Sequence, residues 1–177
     1  MEKVSFGNNA LKFGIFLAAF NIVLTLVYYI FDINLFQYST MIANFVFGIL
    51  FVVAFFIFGI KSYRNNALDG IINFKQAFLQ GLTIGLIGYI IIAIFNYIFN
   101  AFIAPEYMIN QLEGFTEFME GVGAPDDAIE AAIKEFEENL DPIKQLLSSL
   151  KSGIIMTVIF SLIVAASVKK DTTQPKI

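Results

Sequence analysis

Eleven carboxylates fall between Pro105 and Lys151 against three lysines, so this stretch carries a net charge of −8 in a chain whose formal charge is −4. Glu117/Glu120 and Glu135/Glu138 stand three apart, which puts each pair on one helical face and could in principle hold a hard cation such as calcium. No loop alternates Asp and Asn in the EF-hand manner, however, and paired glutamates on an amphipathic helix are ordinarily a solvated face. Paired carboxylates for glycoside hydrolysis need a concave site, which two helices hardly offer. The chain has no Cys, no His and no Trp, which excludes a disulfide framework, a Cys/His zinc site, a thiol nucleophile and a histidine general base. Gly81-x-x-x-Gly85 lacks the lysine and the preceding strand of a phosphate loop. No metal, no cofactor and no enzymatic activity are expected.

The remaining polar candidates are uncharged. Asn21, Asn44, Asn96 and Asn100 interrupt long apolar runs. Asn96 and Asn100 are four apart and share a helical face. Interhelical hydrogen bonding, with Asn21 or Asn44 as mates, is the plainer reading, each bond contributing about 0.6 kcal/mol. A polar lining for a permeation path is the sharper one.

These groups must be held by membrane elements. Hydrophobic residues make up 58% of the 177 and mean hydropathy is +0.74, well above the ~45–50% apolar content of soluble domains. About 20 helical residues at ~1.5 Å each cross the ~30 Å hydrocarbon core. Apolar runs at about 11–31, 41–60, 77–104 and 152–168 satisfy this, giving an all-α membrane protein with four transmembrane helices. The first run is longer than the ~7–15 residues of a signal-peptide core and has Ala18-Ala19 inside it, so a retained helix is expected. Lys12, near its start, snorkels to the headgroups. The third run is over-long at ~42 Å, and Phe74 and Phe78 around Lys75-Gln76 predict an interfacial first turn. Gly81, Gly85 and Gly88, at spacings of four and three, form a bare face that lets another helix approach closely.

Residues 105–151 are the sizeable extramembrane segment, and their apolar residues are periodic. Met108, Leu112, Phe115, Met119 and Val122 follow a 4-3-4-3 spacing, and Ile129, Ile133, Phe136, Leu140, Ile143, Leu147 and Leu150 continue it. One apolar seam on each of two helices results. Between them, Gly121-Val122-Gly123-Ala124-Pro125-Asp126-Asp127 combines a glycine helix end, a proline start and aspartates at the positive N-terminal dipole. An acidic helical hairpin between helices 3 and 4 is predicted, its seams facing each other. A variant laying both helices flat on the bilayer would bring their acids against anionic lipid. The second seam runs into the last span without a break, with Asp141-Pro142 as a kink. The final span, from Gly153, is short, and Lys169-Lys170 stops it.

With four spans, Lys3, Lys12, Lys61, Arg64, Lys75, Lys169, Lys170 and Lys176 share one side with Glu2, Asp69 and Asp171, for +5; Asp32 and the hairpin carry −9 on the other. The positive-inside rule puts both termini in the cytoplasm and the hairpin outside it, in the periplasm.

The order Tyr63-Arg64, a short Asn/Gly loop, Phe74-Lys75-Gln76-Ala77-Phe78, a glycine-bearing span and Ala104-Pro105-Glu106-Tyr107 resembles the domain-of-unknown-function 4199 family, small four-span membrane proteins found mainly in Bacteroidota. Lys75 stands where that family often has Gly, and Ala104 where it often has Asp. The resemblance covers nearly the whole chain in layout and implies four helices in a bacterial inner membrane. It implies no activity. The expected function is therefore non-enzymatic: a scaffold or partner-binding subunit in the lipid bilayer, acting through its acidic hairpin on a protein partner or a second copy, without nucleic acid. The alternative is a small transporter or channel component with an Asn-lined path.

Overall fold

The computed structural model describes residues 4–170. Glu2, Lys3, Asp171 and Lys176, which enter the charge sorting above, lie outside the described residues. Six α-helices follow in order: α1 (Phe6–Ile30), α2 (Tyr38–Ala67), α3 (Phe74–Ile98), α4 (Tyr107–Gly121), α5 (Asp126–Glu138) and α6 (Pro142–Val168), with a π-helical turn, Phe99–Ile103, at the end of α3. There is no strand among the described residues. An isolated antiparallel bridge joins Ile72 to Lys170.

α1, α2, α3 with its π turn, and α6 are long and apolar enough to cross a membrane. Each continues beyond its apolar run, because capping and interfacial polar residues can carry a helix past the hydrocarbon edge. Ser5 Oγ accepts from Asn8 N at the start of α1. Asn73 and Gln76 form a reciprocal capping box at the start of α3, satisfying two otherwise unpaired donors. Phe74 and Phe78 stack there, 6.2 Å apart and 8° from parallel.

Helix directions alternate. α2 runs antiparallel to α1, with Phe6 on Tyr63 at 5.5 Å, Asn9 Nδ2 donating to Gly59 O at 2.8 Å, and Phe20 on Phe51 at 4.2 Å. α3 runs parallel to α1, with Leu17 at Gly88 and the ring of Tyr29 5.3 Å from Phe99. α6 returns antiparallel to α3: Ser161 meets Gly81, Thr157 meets Gly85, and Tyr89 meets Gly153. α3 is the hub, packing most extensively on α6 and then on α1. In its most apolar stretch α3 is 33% buried and α6 39%, against 11% for α2, so α2 turns most of its surface to the exterior.

Two expectations about the second half of the chain need correction. The predicted seam through Leu140, Ile143 and Leu147 is not one helix. α5 stops at Glu138, and α6 starts afresh at Pro142, with the Asp141 carboxylate accepting from the backbone of Ile143 and Lys144 at 2.9 Å each. Proline cannot donate within a helix but suits its first position, so Asp-Pro starts α6 here instead of kinking it. Ile143 and Leu147 therefore belong to α6 and are 59% and 62% exposed. The short final span is the inner part of a 27-residue helix. The third span is likewise not uniform, since the amide of Ala104 reaches back five residues to Phe99 O at 2.8 Å.

Candidate functional site

Chemistry-bearing side chains gather at the end of the bundle where α4 and α5 sit. Three aromatic rings build its floor. Tyr29, Phe99 and Tyr107 meet edge-to-face in a closed triad, with centroids 5.3–5.8 Å apart. The triad ties the top of α1 to the π turn and to the start of α4; such rings are worth ~0.5–1.5 kcal/mol per pair beyond burial. Burial pushes the Tyr107 phenol above the usual tyrosine range, with Tyr28 and Asp32 adding to it. Its hydroxyl has no hydrogen-bond partner among the described residues. A buried hydroxyl left unpaired costs about 1–3 kcal/mol. Tyr107→Phe is therefore expected to keep the ring packing and raise the melting midpoint in detergent; a lower midpoint would mean that the hydroxyl is satisfied in solution.

α4 is fastened to the loop after α1 by amides. Gln111 Oε1 accepts from Leu35 N at 2.8 Å. The Asn34 side chain lies against Gly114, where no β-carbon would fit, and its Oδ1 accepts from Phe36 N at 2.8 Å. Phe36 in turn joins Phe115 of α4 and Phe136 of α5 in a second cluster, with Phe115 stacked on Phe136 at 5.1 Å. Met108, Leu112, Phe115, Met119, Ile129, Ile133, Phe136 and Leu140 are all half-buried. The turn between α4 and α5 closes by Ala124 N to Met119 O and Gly123 N to Glu120 O, with Gly123 at φ 72°, the left-handed helix end that glycine allows at least cost. α5 has no buried residue.

The four asparagines do not converge. Asn21 Nδ2 donates to Leu17 O of its own helix at 3.1 Å, and Asn44 Oδ1 accepts from the Tyr28 hydroxyl. Both line a largely apolar cavity of about 270 Å3 between α1, α2, α3 and α6, which Tyr89 also borders. Asn96 and Asn100 line a different one, of about 310 Å3, at the acidic end. The mate of Asn100 is Gln145 of α6, whose Oε1 accepts from its Nδ2 at 2.6 Å, and not Asn21 or Asn44. The π turn and the early start of α6, neither visible in the apolar run, bring these two together.

Gly81, Gly85 and Gly88 lie at helix contacts. A β-carbon on Gly81 would come 3.1 Å from Ser161 Oγ, one on Gly85 2.5 Å from Thr157 Cγ2, and one on Gly88 2.7 Å from Leu17 Cδ2. Thr157 and Ser161, which meet Gly85 and Gly81, repeat every four residues with Gly153, which meets Tyr89, so a small-residue face on α6 is readable in the sequence. Also unforeseen are buried polar residues inside the bundle. Asn9 is 1% exposed and bonded to Gly59, whereas Gln80, Thr157 and Ser161 are fully buried with side-chain polar atoms that make no hydrogen bond among the described residues. At the opposite end, Lys12, Ser62 and Asn66 share a polar cavity, and Arg64 Nη1 donates to Val168 O at 3.4 Å, so basic residues of α1 and α2 sit at the end away from α5.

Comparison with curated proteins found no match, and none was found among solved structures. A family model described as a protein of unknown function (DUF4199) matches residues 12–170. With nearly the whole chain matched, the protein belongs to the DUF4199 family of proteins of unknown function.

Proposed function

We propose that this protein is a non-enzymatic partner-binding subunit of a bacterial inner membrane, with its termini in the cytoplasm and the α4–α5 pair forming an acidic hairpin outside it. The observation that carries the reading is α5: it has no buried residue, and Glu130, Glu135, Glu137 and Glu138 are all exposed on it. A helix kept solvent-facing, while α4 is fastened to the α1–α2 loop through Gln111 and Gly114, presents a negative surface at a defined place. Such a surface steers and selects a partner of opposite charge. A second copy would set like charges together, so a basic protein surface fits better than self-association. The alternative of an Asn-lined path is weakened by the division of Asn21 and Asn44 from Asn96 and Asn100 between two cavities.

Photo-crosslinkers placed at Glu130 and Glu137 in living cells are expected to yield a discrete adduct that fades with added salt and is lost in Glu130→Lys/Glu137→Lys/Glu138→Lys, while a crosslinker at Lys169 gives none. Absence of any adduct from α5, or an adduct indifferent to charge reversal, would remove the basis of the proposal. Because the chain has no Cys, a single Glu137→Cys can also be labelled with a membrane-impermeant maleimide. Labelling of intact spheroplasts is expected; labelling only after lysis would invert the orientation.

A further inference from the structure

The cavity at the π turn has a composition unlike that of its surroundings. Six polar residues line it: Asn96, Asn100, Asn139, Gln145, Ser148 and Ser149, contributed by α3, the π turn, the α5–α6 connection and α6. None of its lining residues is charged, although the elements around it carry most of the chain's carboxylates. A hard cation would require carboxylate or several carbonyl ligands, and a phosphate would call for arginine or lysine. The ligand that suits this lining is neutral.

The hydrogen-bonding capacity left over narrows the class. Gln145 is engaged at both ends, accepting from Asn100 Nδ2 at 2.6 Å and donating to Leu140 O at 3.2 Å. Asn139 Nδ2 donates to Glu135 O at 2.8 Å. What remains is the second N–H of the Asn100, Asn139 and Gln145 amides, the carbonyl oxygens of Asn100 and Asn139, the whole amide of Asn96, and the hydroxyls of Ser148 and Ser149. Donors and acceptors are therefore both left free, and the two hydroxyls can serve either way. Half-buried Phe136, with Met108 and Leu140, supplies an apolar wall. A sugar ring matches both features, offering around its edge several hydroxyls that each donate and accept, and a face of C–H groups. At about 310 Å3 the space is at the small end of ligand pockets, which run ~300–1,000 Å3. The π turn contributes Asn100 to its lining, and such turns recur at functional sites in helices.

We propose that this cavity binds one neutral glycosyl unit, presented either by a free saccharide or by the headgroup of a membrane glycolipid. The full chain would be purified into nanodiscs of phosphatidylethanolamine and phosphatidylglycerol. Saturation-transfer NMR with glucose, galactose and N-acetylglucosamine tests the free sugar, and co-purification from bilayers doped with a neutral diglycosyl-diacylglycerol tests the lipid. Signal from a free sugar assigns the first source, and selective retention of the glycolipid the second. In either case Asn96→Leu is expected to weaken binding about tenfold, as the loss of its hydrogen bonds implies, without lowering the melting midpoint, since its amide bonds to no described residue. Ser148→Ala/Ser149→Ala is expected to weaken binding as well, again with the fold intact. Binding to neither probe, binding untouched by both variants, or an equal signal from N-acetylglycinamide would overturn the proposal.

Discussion

Gly85→Ala is expected to destabilise the bundle more than any other single methyl addition on the α3 face. The new β-carbon would sit 2.5 Å from Thr157 Cγ2, 2.6 Å from Thr157 Oγ1 and 2.8 Å from Phe56 Cζ. Real carbon contacts do not reach those distances, so α6 or the fully buried Phe56 must move. Overpacking of a fitted interior costs about 1–3 kcal/mol, here at the most extensive interface in the molecule. A melting curve in detergent reads the effect directly. Thr157→Ala removes both atoms of that side chain that clash, so the double variant Gly85→Ala/Thr157→Ala is expected to recover most of the loss, a coupling within the ~0.5–3 kcal/mol seen for contacting residues. Gly88→Ala serves as the contrast: its closest neighbour is the side-chain end of Leu17, at 2.7 Å, with the Gly14 carbonyl farther off at 3.2 Å, and a smaller drop is expected. Equal melting midpoints for wild type and Gly85→Ala would mean that α6 does not lie against this face.

Gly114→Ala is the second large effect, and it is local. The side chain of Asn34 occupies the space a β-carbon needs, while its Oδ1 accepts from Phe36 N. Displacing Asn34 breaks that bond and shifts Phe36, which packs edge-on against the stacked Phe115 and Phe136. The expected result is faster amide exchange and earlier proteolysis across residues 107–138, with the far half of the transmembrane bundle kept, because the contacts of Gly81 and Gly85 with α6 and of Gly14 with Ile87 do not involve this loop. Asn34→Gly in the same background should restore protection. If crosslinking from α5 is lost in Gly114→Ala and returns with Asn34→Gly, the placement of the helix pair matters as well as its charge.

Some features of this chain needed no structure. A 3.6-residue period over Met108 to Met119 and Ile129 to Phe136 specifies helices wherever it occurs, and these residues are indeed half-buried on α4 and α5. The turn was legible from Gly123 and Pro125 because a left-handed helix end and a helix start each favour one residue type. The glycine face was legible for the same reason, since a missing side chain has few uses in a bilayer other than close approach. The break before α6 was harder to see. Asp141-Pro142 can kink a helix or begin one, and the apolar spacing continues across it; only the capping geometry decides, with Asp141 holding two amides.

The site at the acidic end was only half visible. Asn96 and Asn100 stand out in an apolar run, but Gln145, Ser148 and Ser149 lie in a polar stretch where nothing distinguishes them. Asn34 and Gly114 are 80 positions apart in the chain, and no local pattern marks a pair that meets only when α4 folds over the α1–α2 loop. Gln80 interrupts the third apolar run, and its full burial is seen only in the folded chain.

By itself the sequence determined the element types, the four apolar helices and the separation of charge along the chain. These follow from local physics: hydrophobic length against bilayer thickness, helical period, and the backbone preferences of glycine and proline. Tertiary structure alone decided which glycine meets which hydroxyl, that the four asparagines serve two cavities, and that a widened π turn sets Asn100 against Gln145. Those outcomes depend on helix register and direction, which arise from many weak contacts between residues distant in the chain and leave no periodic trace in it.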